Sequence, residues 1–594
     1  MMKANHTTAY LLLIIICCSL FSRSCANTTT PPGGGPKDTI PPVLLKVTPE
    51  QYTTNFPLTK GKVTLVFDEY TVIKNNSDIF LSPPTKKKPT SAVKGKGIVV
   101  TMQDTLLPDR IYTIDFGQAL ADNNEGNPAP RYVYTFSTGD VIDSMYFTGK
   151  VLDCQTLKPV AKMLVAAYTD LSDSACFNVY PDAASRTDDR GFFTLRNIKP
   201  AEYRIIAFTD EDGDSKYNPD ADNVAFLDTL FTPVAVVNDS IYELKGFNMK
   251  DTADCLKREA MITLSAFKEL QSIQYLQNYG RLNEKFGYLK FSAANVDIRN
   301  LEFYGIDSSD VLLQYNPSRD SLNFWITSRH RLDDSLLVRI NYMKTDSTGV
   351  LAETSEAVAM GMPTDTVILK KIKEHEKDTT FKVKITSNNE TVEQEGITLE
   401  TEDPVIGFLL DSLTFTETNP KNQTEEKQVK FIRDTADIRR FIIRPDCTLS
   451  VGYDYKLIIP QGTFTNMYGL PNAREEIKIA LPNDENLSSL TLTVSGVDMR
   501  YIVELLDEKM AQTLRKFTID GNSSLLCPYL KAGKYAIRVT QDRNGNGIFD
   551  VGNLLERRQP EKVKVFTFEN GEQVIELLER TELEQEINLK ELFK

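Results

Sequence analysis

Histidine is nearly missing from this 594-residue chain, which has only His6, His330 and His375. A Ser-His-Asp or Cys-His set needs a histidine beside its nucleophile, and none assembles from these three. His6 lies in the leader, and His375 falls in the charged run KKIKEHEK, which reads as linker. Tryptophan is scarcer still, with Trp325 alone. Glycan sites commonly use exposed aromatic platforms, so a carbohydrate-binding reading starts weak. The longest apolar run, Leu11–Ile16 with Cys17, Cys18, Leu20 and Phe21, falls short of the ~20 residues a spanning helix needs. After Cys25 the five cysteines are scattered with no C-x-x-C, which argues against a zinc-thiolate site. Basic charge is in deficit: Lys and Arg number 68 against 82 Asp and Glu, a net −14. Removing residues 1–24 takes Lys3 and Arg23 and leaves about −16. That balance argues against nucleic acid and against polybasic adhesion to anionic lipid. The one tight basic cluster, Lys86 to Lys88, sits between Pro84 and Pro89 and reads as a solvated loop tip.

What is present begins with an address. Lys3, the apolar run and the small residues Ser22 and Ser24 make a secretory signal over residues 1–24. Ser22-Arg23-Ser24-Cys25 resembles a relaxed lipobox of Bacteroidota lipoproteins, departing from the stricter form by its arginine and its missing leucine. The resemblance implies acyl chains, palmitate among them, on Cys25 and an outer-membrane location, facing periplasm or cell surface. An ordinary cleaved signal with a free Cys25 is the plainer alternative. Residues 25–42 then carry TTT, PP, GGG and a second PP. Such a stretch cannot bury apolar surface, and it reaches roughly 50 Å at ~3.1 Å per residue.

Beyond it the chain reads as all-β, a tandem of β-sandwiches. Residues 43–140 hold the runs Val63–Phe67, Ile98–Met102, Ile111–Phe116 and Tyr132–Phe136, separated by Gly, Pro and Asn turns. DTIPPVLLKVTPEQYTTNF with VTLVFDEY, DNNEGNP and YTFSTGD resembles the bacterial Ig-like domain of surface-layer and envelope proteins, a structural or adhesive module. Residues 146–250, with GKVLD, KPV, TD and GFFTL, resemble the carboxypeptidase regulatory-like domain, a prealbumin-type sandwich without peptidase residues. Asp188–Gly191 is read as a turn in which Gly191 takes positive φ. Residues 255–380 predict a further sandwich with Trp325 in its core or at its edge. Residues 381–484 repeat the first domain: Tyr112, Gly126 and Pro128 recur at the same spacing as Tyr455, Gly469 and Pro471. Residues 488–594 repeat the second, Tyr203–Asp210 aligning with Tyr535–Asp542. The glutamate- and leucine-rich tail from Glu572 reads as strand.

The constellation closest to chemistry follows that second repeat. Asp210, Asp212, Asp214 and Asn218 place oxygens at loop positions 1, 3, 5 and 9, as do Asp542, Asn544, Asn546 and Asp550. This alternation resembles calcium loops of the EF-hand and dockerin kind. The glutamate expected at position 12 is replaced by Ala221 and Asn553, with Asp220 and Asp222 available nearby in the first loop. Asx-rich turns need no metal, and a cation here would stiffen a loop, not catalyse. Cys154 and Cys176 share a domain and are candidates for a disulfide. Asp68 and Glu69 fall at the end of a strand, where adjacent residues point to opposite faces, so the pair fails as acid and base.

The order of lipobox, tether, Ig-like and prealbumin-like domains resembles Ig-like-domain lipoproteins of Bacteroidota outer membranes. It implies a non-enzymatic scaffold that binds envelope proteins, including an accessory role in outer-membrane assembly or export. A surface glycan-binding or adhesion lipoprotein, and a hydrolase hidden in 255–380, are the alternatives.

Overall fold

The computed structural model describes residues 38–594 apart from 236–259, 271–272, 329, 348, 365–369, 371–377, 436 and 484. Cys25, Cys255, His6 and His375 lie outside the described residues. Nearly every element is a strand, and the sheets fall into tandem sandwiches. Among the described residues no helix is long and apolar enough to cross a membrane. Contacts divide the chain into two compact units. One holds everything up to Tyr146 with Arg196–Pro200 and a segment from Val234, and the other holds the rest.

In the first sandwich, Leu44–Thr48, Lys62–Phe67, Gly97–Thr101 and Thr90–Lys94 form an antiparallel sheet in that spatial order. Alternation decides which face is inside: Val63, Leu65 and Phe67 are buried, and Lys62, Thr64 and Val66 point outward,. The facing sheet is Phe80–Ser82, Ile111–Asp115 and Val133–Ser137. Tyr112 stacks on Phe136 in the core, ring centroids 5.5 Å apart.

On that sheet, Arg131 grips the Asp115 carboxylate with both Nε and Nη2. Burial alone would push Asp115 up; the Arg131 charge and hydrogen bonds, with the Gly117 N–H, outweigh it and hold the carboxyl below its usual range. A folded pKa below the unfolded ~3.9 means stability present above pH ~4 and lost as pH falls through the folded value. The first domain of Arg131→Ala is therefore expected to melt lower than the wild type at pH 7. The difference should shrink toward zero in acid, as differential calorimetry across pH would show.

The fourth sandwich repeats this plan. Lys384–Ile385, Ile397–Glu400, Arg440–Pro445 and Val429–Arg433 are ordered as in the first domain. Its facing sheet, Thr414–Thr418, Asp454–Ile459 and Glu475–Ile479, gains one edge strand, Thr424–Lys427. Tyr112 accepts at its hydroxyl from the N–H of Leu107, and Tyr455 from that of Ser450, each five residues upstream. Such a tyrosine corner pins the strand entry. Gly126 and Gly469 both sit at positive φ, 78° and 81°.

The second and fifth sandwiches share one strand order in one of their two sheets. Ala183–Arg186, Leu164–Tyr168, Arg204–Phe208 and Val224–Phe226 correspond in order to Thr513–Ile519, Arg500–Asp507, Gly533–Asp542 and Val563–Val565. In both, the last strand returns to lie parallel to the first. Glu582–Asn588 pairs with Ser489–Ser495, and Ile262–Ala266 pairs with Gly149–Asp153. This corrects the expected boundary at 255: Ile262–Ala266 completes the second sandwich and does not open the third. The third sandwich starts near Leu276, with Leu276–Arg281, Phe286–Phe291, Ser321–Ile326 and Val311–Tyr315 facing Ile298–Phe303, Ser335–Thr345 and Leu351–Gly361. The tail after Glu572 is strand, then one helical turn, Leu589–Leu592, capped by Asn588.

Candidate functional site

Both aspartate loops leave the end of a central strand and return just before the next one. In the first, Asp210 is fully enclosed, pairs with Arg186 at 2.9 Å and accepts from the Ser215 N–H at 2.7 Å. Its carboxylate and those of Asp212 and Asp214 lie within 4.8 Å of one another, the last two exposed. Asp212 and Asp214 also make short-range turns, accepting from the N–H groups of Asp214 and Lys216. Asn218 uses its side-chain oxygen on the N–H of Asp220.

The residue that organises this loop is Asp222, whose exposure is 0%. One of its oxygens accepts from the Thr209 hydroxyl and the Glu211 N–H, the other from the Asn218 N–H. In the second loop Glu561 does the same work: it accepts from the N–H groups of Arg543, at 2.7 Å, and Asp550, at 3.1 Å. Glu211 and Asn218 are positions 2 and 9 of their loop, and Arg543 and Asp550 are positions 2 and 9 of theirs. Asp222 and Glu561 are thus equivalent anchors. A search at position 12 misses both, because Asp222 is thirteenth and Glu561 twentieth. The available signal was an acid two residues before the next strand, Val224 in one domain and Val563 in the other. Burial, reinforced by Asp550 and Asp542, pushes the Glu561 carboxyl up against its two hydrogen bonds.

The loops differ in what they offer a cation. The first brings together three carboxylates, only one of them answered by Arg186. In the second, Asn544 and Asn546 direct their amide N–H groups at Asp550, both at 2.7 Å, while Asp542 accepts from the N–H groups of Asn546 and Gly547. Donors occupy the places where a hard cation wants oxygens.

The seven extra residues of the second loop form an arm that reaches the second sandwich within the same compact unit. The Leu554 N–H donates to Glu269 at 2.6 Å, and Glu269 also accepts from the Tyr217 hydroxyl. Gln559 donates to the Phe226 carbonyl and the Asp228 carboxylate, and Arg557 to the Asp228 carbonyl. Gly552 has no room for a side chain: a Cβ there would stand 2.5 Å from the Phe267 ring. The fourth and fifth sandwiches meet through Glu390 and Arg515 at 3.2 Å, Glu393 and the Tyr529 hydroxyl, and Gln394 and the Leu526 carbonyl. The third and fourth meet through Asn283 and Tyr468, and through Gln314 and the Ile438 N–H.

Trp325 is 1% exposed, stacked on Phe286 at 5.0 Å with Arg439 over its ring at 5.7 Å. It is therefore core at a domain junction and offers no glycan platform. Its fluorescence is expected to be blue-shifted and weakly quenched by acrylamide in the folded chain; red-shifted, fully quenchable emission would contradict this placement. Cys154 and Cys176 are both buried and unpaired, which corrects the expected disulfide. Cys154 sits beside Ala266 at the end of one sheet, and Cys176 lies on the turn Ala175–Asn178 that holds Tyr217. Burial pushes each thiol up to about 12, as for small apolar core residues,. His330, the only histidine among the described residues, is exposed, its N–H bonded to Ser328.

Comparison with known proteins addresses the first sandwich directly. Residues 38–138 match the bacterial Ig-like domain. No curated protein matches the chain. Among solved structures, three titin domains (A168–A170) are similar at 12% identity over 46% of this chain and 92% of theirs, TM-score 0.11. The surface-layer protein SbsC is similar at 8% identity over 75% and 67%, TM-score 0.16. The major pilin BcpA of Bacillus cereus is similar at 10% identity over 75% and 99%, TM-score 0.13. At these scores the resemblances carry no argument.

Proposed function

We propose that the chain is a lipid-anchored scaffold of the outer membrane, held by acyl chains on Cys25 and binding other envelope proteins through its sandwich surfaces. The observation that carries this reading is the way the sandwiches are joined. The second, third, fourth and fifth make specific polar contacts within one compact unit, so they present composite β-surfaces with fixed spacing. The Ig-like match of the first sandwich fits a structural or adhesive role. Within that reading, service as an accessory subunit of an outer-membrane assembly or export machine suits a chain built to bridge and not to turn over substrate. Gentle extraction of native membranes after cross-linking should capture a membrane partner in fixed ratio to the chain. Recovery as a lone monomer under the same conditions would overturn the scaffold reading.

Calcium enters this proposal only at Asp210, Asp212 and Asp214, where the ion would relieve repulsion among the three carboxylates,. Melting in calcium should exceed melting in chelator, with the gain abolished in Asp212→Asn/Asp214→Asn. Coincident melting curves would remove the ion from the account.

A further inference from the structure

The net charge of the chain hides an uneven distribution. Residues 38–140 hold eleven lysines and arginines against eleven aspartates and glutamates, whereas those after Asp140 hold 54 against 71, a balance of −17. The first sandwich is also sorted internally. Its first sheet has an outward face set by register: Lys46, Val66, Gly97 and Lys94 form one row across the four strands. Lys62 lies on the same face, in the row with Thr101. The remaining outward positions are threonine, alanine or valine, and none is acidic. At ~4.8 Å per strand, Lys46 and Lys94 stand roughly 14 Å apart with valine and glycine between them. All three lysines are exposed, and none is in an ion pair among the described residues.

The acids of the domain collect elsewhere. Beyond the strand ends, Glu69 is pushed up by burial and by Asp122, Asp68, Asp38 and Glu125. In the corresponding sheet of the fourth sandwich, two outward cations are paired within the fold: Lys430 with Asp446 at 3.0 Å, and Arg440 with Asp434 at 3.6 Å. Lys46, Lys62 and Lys94 have no such partner among the described residues. Leu45, at the bulge of the edge strand beside this face, is 64% exposed. Lysines framing small and apolar groups, with an apolar side chain at the rim, suit a surface of anionic headgroups.

We infer that the Lys46–Lys62–Lys94 face of the first sandwich docks on an anionic lipid surface, which sets that face of the first domain against the membrane. The setting depends on the membrane-held reading, but the docking can be measured without the anchor. Only ~12 residues separate Cys25 from Asp38, a reach of roughly 40 Å, so the face would be held within range of the headgroups.

The test uses the unacylated chain from Ala26 onward. It is expected to cosediment with vesicles of phosphatidylglycerol and phosphatidylcholine, to release as salt rises, and not to bind vesicles of phosphatidylcholine alone. Lys46→Ser/Lys62→Ser/Lys94→Ser should bind about a hundredfold more weakly. Its melting temperature and Trp325 emission, measured alongside, show whether the fold is kept. Lys86→Ser/Lys87→Ser/Lys88→Ser, in the loop, should bind much as the wild type does. Equal binding to both vesicle types, no binding to either, or loss in the loop variant but not in the face variant would each overturn the proposal. Because no acyl chain is present, those results would leave the Cys25 anchor unaffected.

Discussion

Asp222→Ala is expected to destabilise the second sandwich by about 3 kcal/mol or more, and Glu561→Ala the fifth by a similar amount. Removing the fully buried Asp222 carboxylate takes the acceptor from three part-buried donors, the Thr209 hydroxyl and the N–H groups of Glu211 and Asn218. Each buried donor left without an acceptor costs about 1–3 kcal/mol. Glu561→Ala strands the N–H groups of Arg543 and Asp550 and also loosens the arm that follows Asp550, so it should weaken contact with the second sandwich. In a domain of this size the loss corresponds to roughly 10 °C or more in melting temperature. Asp222→Asn keeps one acceptor and should fall between. Calorimetry of the three variants checks the order. Wild-type melting of Asp222→Ala would show that the carboxylate is not the loop's organiser.

Gly191→Ala should be as damaging, for a backbone reason. Gly191 has φ +70°, and a Cβ there would stand 2.4 Å from the Val151 carbonyl oxygen and 3.2 Å from Pro159 and the Val160 nitrogen. The turn cannot retreat, because the Gly191 carbonyl accepts from the Val151 N–H and its own N–H donates to Asp188. Positive φ alone costs an alanine about 1 kcal/mol, and displacing a paired strand adds more, so roughly 3 kcal/mol is expected. The control is Gly349→Ala, also at positive φ but with nothing within 4 Å of its Cβ. It should lose about 1 kcal/mol. Equal losses at the two glycines would mean that the close approach to Val151 is relieved.

Local features were legible in the sequence because their cause is local. β-Branched and aromatic composition identified Val63–Phe67 as a strand, alternation identified Ile111–Phe116 as a half-buried one, and Gly191 announced its own conformation. The spacing of Tyr112 to Gly126 and of Tyr455 to Gly469 pointed to a repeat, and the two hydroxyls make the same bond. What stayed hidden depends on distant partners. Ile262–Ala266 reads as a strand anywhere, but nothing in its pattern says that it pairs with Gly149–Asp153, more than a hundred residues earlier. Glu561 was concealed because the arm separates it from the loop it anchors. Cys154 and Cys176 resembled a disulfide by sharing a domain, yet burial as separate small apolar groups accounts for them.

The arm and the anchored loops also bear on how a scaffold of this kind keeps its spacing. Inter-domain contacts of modest area ordinarily permit domain motion. Here they are supplemented by directed bonds accepted by Glu269, Asp228, Glu390 and Glu393. A surface spread over several sandwiches is useful to a partner only if it is held at one place in the envelope, and the tether with its terminal cysteine supplies that place in the proposal.

Tethering is therefore where the account is most exposed, and intact mass of the native chain together with its distribution between membrane and soluble fractions tests it most directly. The expected result is a mature chain beginning at acylated Cys25 and found in membranes, with Cys25→Ala released to the soluble fraction. A native chain that begins elsewhere, carries no acyl mass and is recovered soluble would contradict it.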